Sequence, residues 1–253
     1  MLSKLKTIYN DILERSEKSL KKHFVLKFVR SILVIFALVP LIFVARQPGS
    51  LRIVDANSEV TEDGFVIVNG SFRPIVANNA LEWVFLAIAR GTAFAIYPDI
   101  FVIFLSKCRA TLALLSSIPY GMYMFQDMHD VHAYCGRFIA QMVAIHTLFH
   151  LIRWGIAGNI NLLIDSAAGV TGLIATTVTP LITVLMMTES VRKRVQFEVR
   201  KAIHYLFFVF SISLIWHVPT SALPYGGFIR FVMIFCVVLY CLDAIYVQIF
   251  MTE

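Results

Sequence analysis

Residues 132–150 read HAYCGRFIAQMVAIHTLFH, and residues 204–217 read HYLFFVFSISLIWH. Both stretches lie in apolar runs of about the 20 residues that a helix needs to cross a bilayer. Each also carries widely spaced histidines, and an ionisable side chain inside lipid is costly enough to mark a functional site. These two stretches therefore determine the fold class and the chemistry that we expect.

The spacing of four histidines predicts two cofactor levels. His132 and His146 are fourteen residues apart, and His204 and His217 are thirteen apart. At 1.5 Å per residue, these separations are about 21 Å and about 19.5 Å along a helix. The two helices are expected to run in the same direction, which puts His132 level with His204 and His146 level with His217. Two imidazoles at one level match the axial positions of a haem iron, so the pattern predicts two stacked b-type haems.

The thirteen-residue spacing does not place His204 and His217 on the same face of a regular α-helix. Fourteen residues return to within about 40° of the starting face of an α-helix, whereas thirteen miss it by about 140°. Either this span contains a local 3₁₀ or π-like distortion, or the two irons approach it from different sides. The sequence leaves both arrangements open.

Two further histidines compete for these roles. His150 is one turn beyond His146, but it is about 27 Å from His132, a poor match to the partner helix. His146 is therefore the better ligand. His129 precedes His132 by about one turn, and we interpret it as a solvated residue at the membrane surface.

The composition of the chain indicates an integral membrane protein. Of its 253 residues 58% are hydrophobic and only 15% are charged, with a mean hydropathy of +0.77, whereas about a quarter of a soluble domain is charged. We expect an all-α fold: one domain over 28–253, built as a six-helix transmembrane bundle with both haems between its third and fifth helices. The six spans are predicted at 28–45, 80–106, 130–153, 162–187, 195–218 and 226–250.

Two segments lie outside these spans. Residues 1–27 have apolar positions at helical spacing with basic residues among them, which predicts an amphipathic helix in the headgroup region of the cytoplasmic leaflet. Residues 46–79 form the one long polar connection, predicted to be extracytoplasmic. They are rich in turn formers, with a short strand expected over 65–68.

The basic residues predict the orientation of the chain. The net charge of +6 does not indicate nucleic-acid binding, because Lys and Arg crowd the helix ends. With the N-terminus inside, fifteen of the 22 lie on the inner side, two lie within spans, and five lie outside. Those five are Arg46, Arg52, Arg73, Arg153 and Arg230. This asymmetry predicts a multi-pass protein with both termini cytoplasmic, in the plasma membrane or an internal membrane.

Residues 80–218 resemble the ferric reductase-like transmembrane domain family, and most of all the membrane domain of NADPH oxidases. The resemblance is carried mainly by the spacings of the histidines on the two stretches quoted above. Shorter motifs add to it: Gly169-Val170-Thr171-Gly172, Ser190-Val191-Arg192-Lys193, Phe197-Glu198, Ala89-Arg90, and Cys108-Arg109 with Thr111-Leu112. The last two lean towards the oxidases.

The resemblance implies a direction of electron flow. Electrons would pass from cytosolic NADPH through FAD, the inner haem and the outer haem to dioxygen, which would form superoxide. A bis-histidine iron has no open position, so this last transfer would be outer-sphere. The family implies that Arg90 and His150 lie beside the outer haem, where a cation and a hydrogen-bond donor would stabilise superoxide. For Arg90, an ion pair with a haem propionate is the alternative. Arg137, within the third span, is expected to be a propionate or polar partner.

The residues for the flavin and nicotinamide are not found in this sequence. No G-x-G-x-x-G follows a predicted strand, so FAD and NADPH are expected on a further domain or a separate flavin dehydrogenase subunit. The chain alone is expected to hold haem without oxidising NADPH.

Three other functions stay open. The same haems could serve a metalloreductase that reduces a ferric chelate, for which the acidic loop residues Asp55, Glu59, Glu62 and Asp63 offer a docking charge. The intramembrane histidines could instead form a relay in a haem-free proton channel or transporter. The chain could also be a catalytically silent scaffold for a partner.

Overall fold

The computed structural model describes residues 24–39, 59–60, 66–68, 71–73, 80–118, 128–156, 158, 160–217 and 226–251. The amphipathic helix expected over 1–27 lies outside these residues, apart from its last four. Most of the 46–79 connection also lies outside them.

Ten helices and three short strands make up the described residues. The strands β1 (Glu59–Val60), β2 (Val66–Val68) and β3 (Ser71–Arg73) pair antiparallel in sequence order, and β2 lies where a strand was expected. The helices are α1 (24–39), α2 (Ala80–Leu105), α3 (Arg109–Ser116), α4 (Met128–Ile156), α5 (Leu162–Asp165), α6 (Ala167–Met187), α7 (Glu189–Arg192), α8 (Phe197–His204), α9 (Phe207–His217) and α10 (Gly226–Phe250).

Five helical segments are long and apolar enough to cross a membrane. They are α2, α4, α6, α8 with α9, and α10, and they coincide with the second to sixth predicted spans. Many of their large apolar side chains are exposed, such as Leu181, Phe231 and Ile245, which suits contact with lipid. The prediction of a multi-pass membrane protein is therefore confirmed. The first predicted span, 28–45, overlaps α1 and then leaves the described residues, so a count of six stays a prediction.

The fourth span begins later than the predicted residue 162. Ser166 has an extended backbone, and its Oγ accepts a hydrogen bond from the Gly169 N–H at 2.9 Å, which is a helix N-cap. It separates the short α5 from α6, so the long helix starts at Ala167. A side chain at Gly169 would collide with the backbone carbonyls of Leu162 and Leu163, so glycine allows this tight reversal.

The helices pack as a bundle around apolar side chains. The α2 helix packs against α4, and α6 packs against both α4 and α9, while α10 covers α2, α3 and α9. Buried residues such as Phe94, Ile100, Ile139 and Met233 form the core. Asp243 on α10 accepts a hydrogen bond from the Thr111 N–H at 2.7 Å, so its carboxylate caps the first turn of α3.

A buried ion pair joins α1 to the bundle. The Nε of Arg30 donates to Asp99 at 2.6 Å, its Nη2 donates to the other oxygen of that carboxylate, and its Nη1 donates to the Tyr134 hydroxyl at 3.0 Å. The guanidinium also stacks over the Phe138 ring at 3.6 Å from the centroid. Asp99 is completely buried. The charge pattern predicts Arg30 only as one of the inner-side basic residues and does not predict its pairing with Asp99.

Breaking this pair from one side is expected to destabilise the bundle strongly. In Asp99→Asn the Arg30 charge stays buried without its counter-charge, which costs about 3–5 kcal/mol of unfolding free energy. The control is Glu189→Gln in the exposed Lys193–Glu189 pair, whose side chains are 73% and 77% exposed; we expect a change of about 0.5 kcal/mol or less. Reversible unfolding in detergent micelles measures both, and equal losses would contradict the prediction.

Candidate functional site

The four predicted histidines come together as two facing pairs. The His132 and His204 rings, here called the lower pair, have centroids 6.1 Å apart, and the His146 and His217 rings, the upper pair, have centroids 5.8 Å apart. An imidazole nitrogen binds a first-row metal at about 2 Å and lies about 1 Å from its ring centre, so trans imidazoles on one metal have centroids roughly 6 Å apart. Both pairs have the separation that a shared iron requires.

Three of these imidazoles are oriented through Nδ1. The Nδ1 of His146 donates to the Ala89 carbonyl and that of His217 to the Ala168 carbonyl, both at 2.8 Å. The Ser106 hydroxyl uses its proton on the Ile103 carbonyl at 2.6 Å, so its oxygen accepts from the Nδ1 of His132 at 2.8 Å. A proton on Nδ1 leaves the lone pair on Nε2, the tautomer that a metal ligand needs.

The fourth imidazole has different surroundings. The Nδ1 of His204 is buried and has no hydrogen-bond partner among the described residues. Phe207 lies against its ring, with centroids 6.0 Å apart. Lys107, just beyond the end of α2, interacts electrostatically with both lower histidines, and partial burial lowers the pKa of its ammonium group.

A tightened turn lies between His204 and His217. Around Tyr205, the Leu206 N–H donates to Ile203 at 3.0 Å and the Phe208 N–H to Tyr205 at 3.1 Å, which are bonds of 3₁₀ type. Each 3₁₀ residue turns the chain about 20° further and raises it about 0.5 Å more than an α-helical residue. Three such residues bring the thirteen-residue rise to about 21 Å, equal to the fourteen-residue rise on α4, and they reduce the angular miss between His204 and His217 from about 140° to about 80°. A local 3₁₀ distortion is therefore observed, and it accounts for part of the angular miss between the two histidines.

The helices that carry the pairs are spaced by α6. Among the described residues α4 and α9 do not pack closely on each other, whereas α6 contacts both. A Thr147–Thr176 hydroxyl bond of 2.7 Å fixes α4 on α6. Gly172 lies against the upper pair, because a Cβ there would be 2.9 Å from Cε1 of His217. This gives a physical reason for the last glycine of Gly169-Val170-Thr171-Gly172.

The two predicted catalytic residues lie at the level of the upper pair. The His150 ring has its centroid 4.6 Å from that of His146 and 5.3 Å from that of Trp154. Its Nδ1 is buried without a hydrogen-bond partner among the described residues. Arg90 is half-buried and follows Ala89, whose carbonyl holds His146.

Two other predicted positions lie apart from the pairs. Arg137 is exposed. It follows His132 by five residues on α4, so it points about 140° away from the face that carries His132. Its role as a propionate partner stays a prediction. His129 is exposed at the start of α4, as expected for a surface histidine.

A buried ion pair that the sequence does not predict lies at the upper end of the bundle. Arg153 on α4 and Glu82 on α2 have side chains only 7% and 4% exposed, with Nε and Oε1 3.6 Å apart. The charge pattern predicts Arg153 only as an outer-side residue. The proximity of Glu82 and Arg153 could have been predicted from the topology, because the start of the second span and the end of the third lie at the same end of the bundle.

Comparison with known proteins adds no identification. No protein-family model matches the chain, and no curated protein matches it. In the described part of the chain, no three His, Cys, Asp or Glu side chains converge as ligands for a bare metal ion. The ligand candidates come in pairs, and two protein ligands are what an iron already held in a porphyrin ring requires.

Filling the contact at Gly172 is expected to disturb the upper pair. In Gly172→Ala the new methyl group forces α6 or the His217 ring to move, which costs about 1–3 kcal/mol and lowers the melting temperature. The matched control is Gly155→Ala on α4, where a Cβ meets nothing within 4 Å; we expect it to be neutral or slightly stabilising. Thermal unfolding of both variants in detergent checks this, and equal melting temperatures would contradict it.

Proposed function

We propose that this chain is the membrane part of an oxidoreductase that carries electrons across the bilayer and reduces dioxygen to superoxide. The donor is a cytosolic flavin reduced by NADPH, held on a domain or subunit outside this chain. One observation carries the proposal. Two pairs of histidines, with ring centroids about 6 Å apart within each pair, lie on helices long and apolar enough to span a membrane.

The protein's own residues suit the binding of two b-type haems. His132 with His204 would hold one haem and His146 with His217 the other, and the Nδ1 hydrogen bonds orient three of these rings for binding. When bound, haem supplies a one-electron Fe(III)/Fe(II) couple at each level. The apolar spans exclude water and charged acceptors from the region between the levels, so electrons are directed along the bundle.

Arg90 and His150 are proposed to act on the acceptor at the upper level. A positive charge and a buried ring nitrogen next to His146 can lower the energy of an anion that forms there, and the low dielectric of the site strengthens both effects. Dioxygen gains a negative charge when it accepts one electron, whereas it has none before. The same groups would bind dioxygen itself only weakly, so they favour the charge transfer.

Basic residues at the lower end are proposed to receive the donor. Lys107 and Arg109 follow α2, and Arg192, Lys193 and Arg194 lie at the end of α7. A cluster of one sign raises the association rate of an acidic partner. The lower pair is at this same end, since Ser106 bonds His132.

An absorption spectrum with a haem assay tests the proposal most directly. Protein expressed with ample haem is expected to bind two b-type haems per chain, with a reduced-minus-oxidised spectrum typical of bis-histidine iron. His146→Leu or His217→Leu is expected to remove one haem of the two and stop transfer to the upper side. His129→Leu changes an exposed histidine outside the pairs and should keep both haems. Colourless protein, or two haems retained without His146, would overturn the proposal and favour a haem-free histidine relay.

Removal of Arg90 or His150 is expected to slow the final transfer without removing haem. In Arg90→Gln and His150→Gln the reduced protein should form superoxide about ten- to a hundredfold more slowly in air, because the anion loses its stabilising group. His129→Gln changes an exposed histidine outside both pairs; it is the matched control and should keep the rate. Stopped-flow reoxidation with a superoxide probe measures this. Wild-type protein that is reoxidised by ferric chelates but not by dioxygen would identify a metalloreductase instead.

A further inference from the structure

Arg153 has buried donors that the described residues do not satisfy. It lies near the end of α4 with its side chain 7% exposed, and its Nε and Nη1 have no hydrogen-bond partner among the described residues. Glu82 lies 3.6 Å from Nε, which is close enough to attract the charge and too far for a hydrogen bond. The ion pair therefore leaves hydrogen-bond donors of the Arg153 guanidinium unsatisfied among the described residues.

The chemistry of this group selects its ligand. A guanidinium has five N–H donors in a planar fork and stays charged, and its geometry matches the two oxygens of a carboxylate. Leaving buried N–H donors unpaired is costly, more so for a charged group. Because Nε faces Glu82, we expect an oxygen anion at the other edge of the guanidinium, where Nη1 and Nη2 form a fork.

The position of Arg153 relates it to the upper pair. It is seven residues beyond His146, so it lies within about 20° of the same face of α4 and about 10.5 Å further along it. Between them His150 interacts electrostatically with Arg153 and has its ring against His146. Arg90 and Arg153 carry positive charge at the level of the upper pair, and Arg230 adds another over the Trp216 ring next to His217. Glu82 carries one negative charge, so this end of the bundle attracts a further carboxylate.

We propose that Arg153 holds a carboxylate of the cofactor: a propionate of the haem bound between His146 and His217. This rests on the proposed function. Glu82 then has the separate role of fixing the guanidinium in the bundle before the cofactor binds. A free carboxylate, or a carboxylate from elsewhere in the chain, has the same chemistry, and the experiment must separate these sources from a propionate.

Haem retention by Arg153→Gln provides the test. Protein is made in cells that cannot synthesise haem and are supplied with haem, and transfer of each haem to excess apomyoglobin is followed. One of the two haems is expected to leave about tenfold faster or more, because a charge-assisted hydrogen bond is lost. The other, at the lower pair, should leave at an unchanged rate and serves as the internal control.

Two further variants separate the loss of a ligand contact from a disturbance of the fold. Glu82→Gln with Arg153→Gln removes both charges, so no buried ion is left unpaired, and it should show the same fast phase. Arg153→Lys keeps the charge without the fork and should fall between wild type and Arg153→Gln. A double variant that retains haem like wild type would overturn the proposal, because the fast phase of Arg153→Gln would then come from the charge left on Glu82.

Haem dimethyl ester identifies the source of the carboxylate. Its propionates carry no charge, so wild type and Arg153→Gln supplied with the ester should release it at equal rates. The opposite outcome is that Arg153→Gln releases both haem and its ester faster than wild type, by the same factor. In that case Arg153 holds another carboxylate and the proposal is wrong. Equal haem release by wild type and Arg153→Gln would also overturn it while leaving the proposed function intact. Protein that binds no haem at all would overturn both.

Discussion

Polar groups inside the apolar spans have no water to bond with, so each must find its partner within the protein. This constraint explains the main features of the interior. Arg30 is held by Asp99 and Tyr134, and the buried hydroxyls of Ser211 and Ser213 donate to the carbonyls one turn back, at 2.7 and 2.8 Å. Where a buried nitrogen lacks such a partner among the described residues, as in Arg153 and His150, the interior points to a ligand.

The constraint also explains how the histidines are oriented. A backbone carbonyl can only accept, so Ala89 and Ala168 force the proton onto the Nδ1 of His146 and His217. Those carbonyls belong to α2 and α6, the neighbours that pack on the histidine helices. The tautomer of the upper pair is therefore set by helix packing, and any shift of α6 at Gly172 changes the orientation of His217.

The levels of the histidines could be predicted from the sequence, because helical rise depends only on residue number. The facing of His217 could not, since the 3₁₀ bonds near Tyr205 depend on tertiary packing that residue types do not encode. The same holds for the acceptors of Nδ1, which are backbone carbonyls of residues with no distinctive side chain. The Arg30–Asp99 pair depends on the register of α1 against α2, which hydrophobic spacing does not determine. The late start of α6 was more accessible, because Ser166 before an apolar run is a capping signal.

The space between the two levels distinguishes a pathway for electrons from one for protons. A proton relay needs donors and acceptors in an unbroken series, each within hydrogen-bond distance of the next. On α4 the residues between His132 and His146 include the buried Ile139 and Val143, and on α9 the hydroxyls of Ser211 and Ser213 are already bonded to their own helix. Along these two helices the apolar layer interrupts such a series. Electrons need no hydrogen-bonded path and can tunnel through apolar side chains, so the layer that hinders protons leaves electron transfer open and favours the redox proposal over the relay.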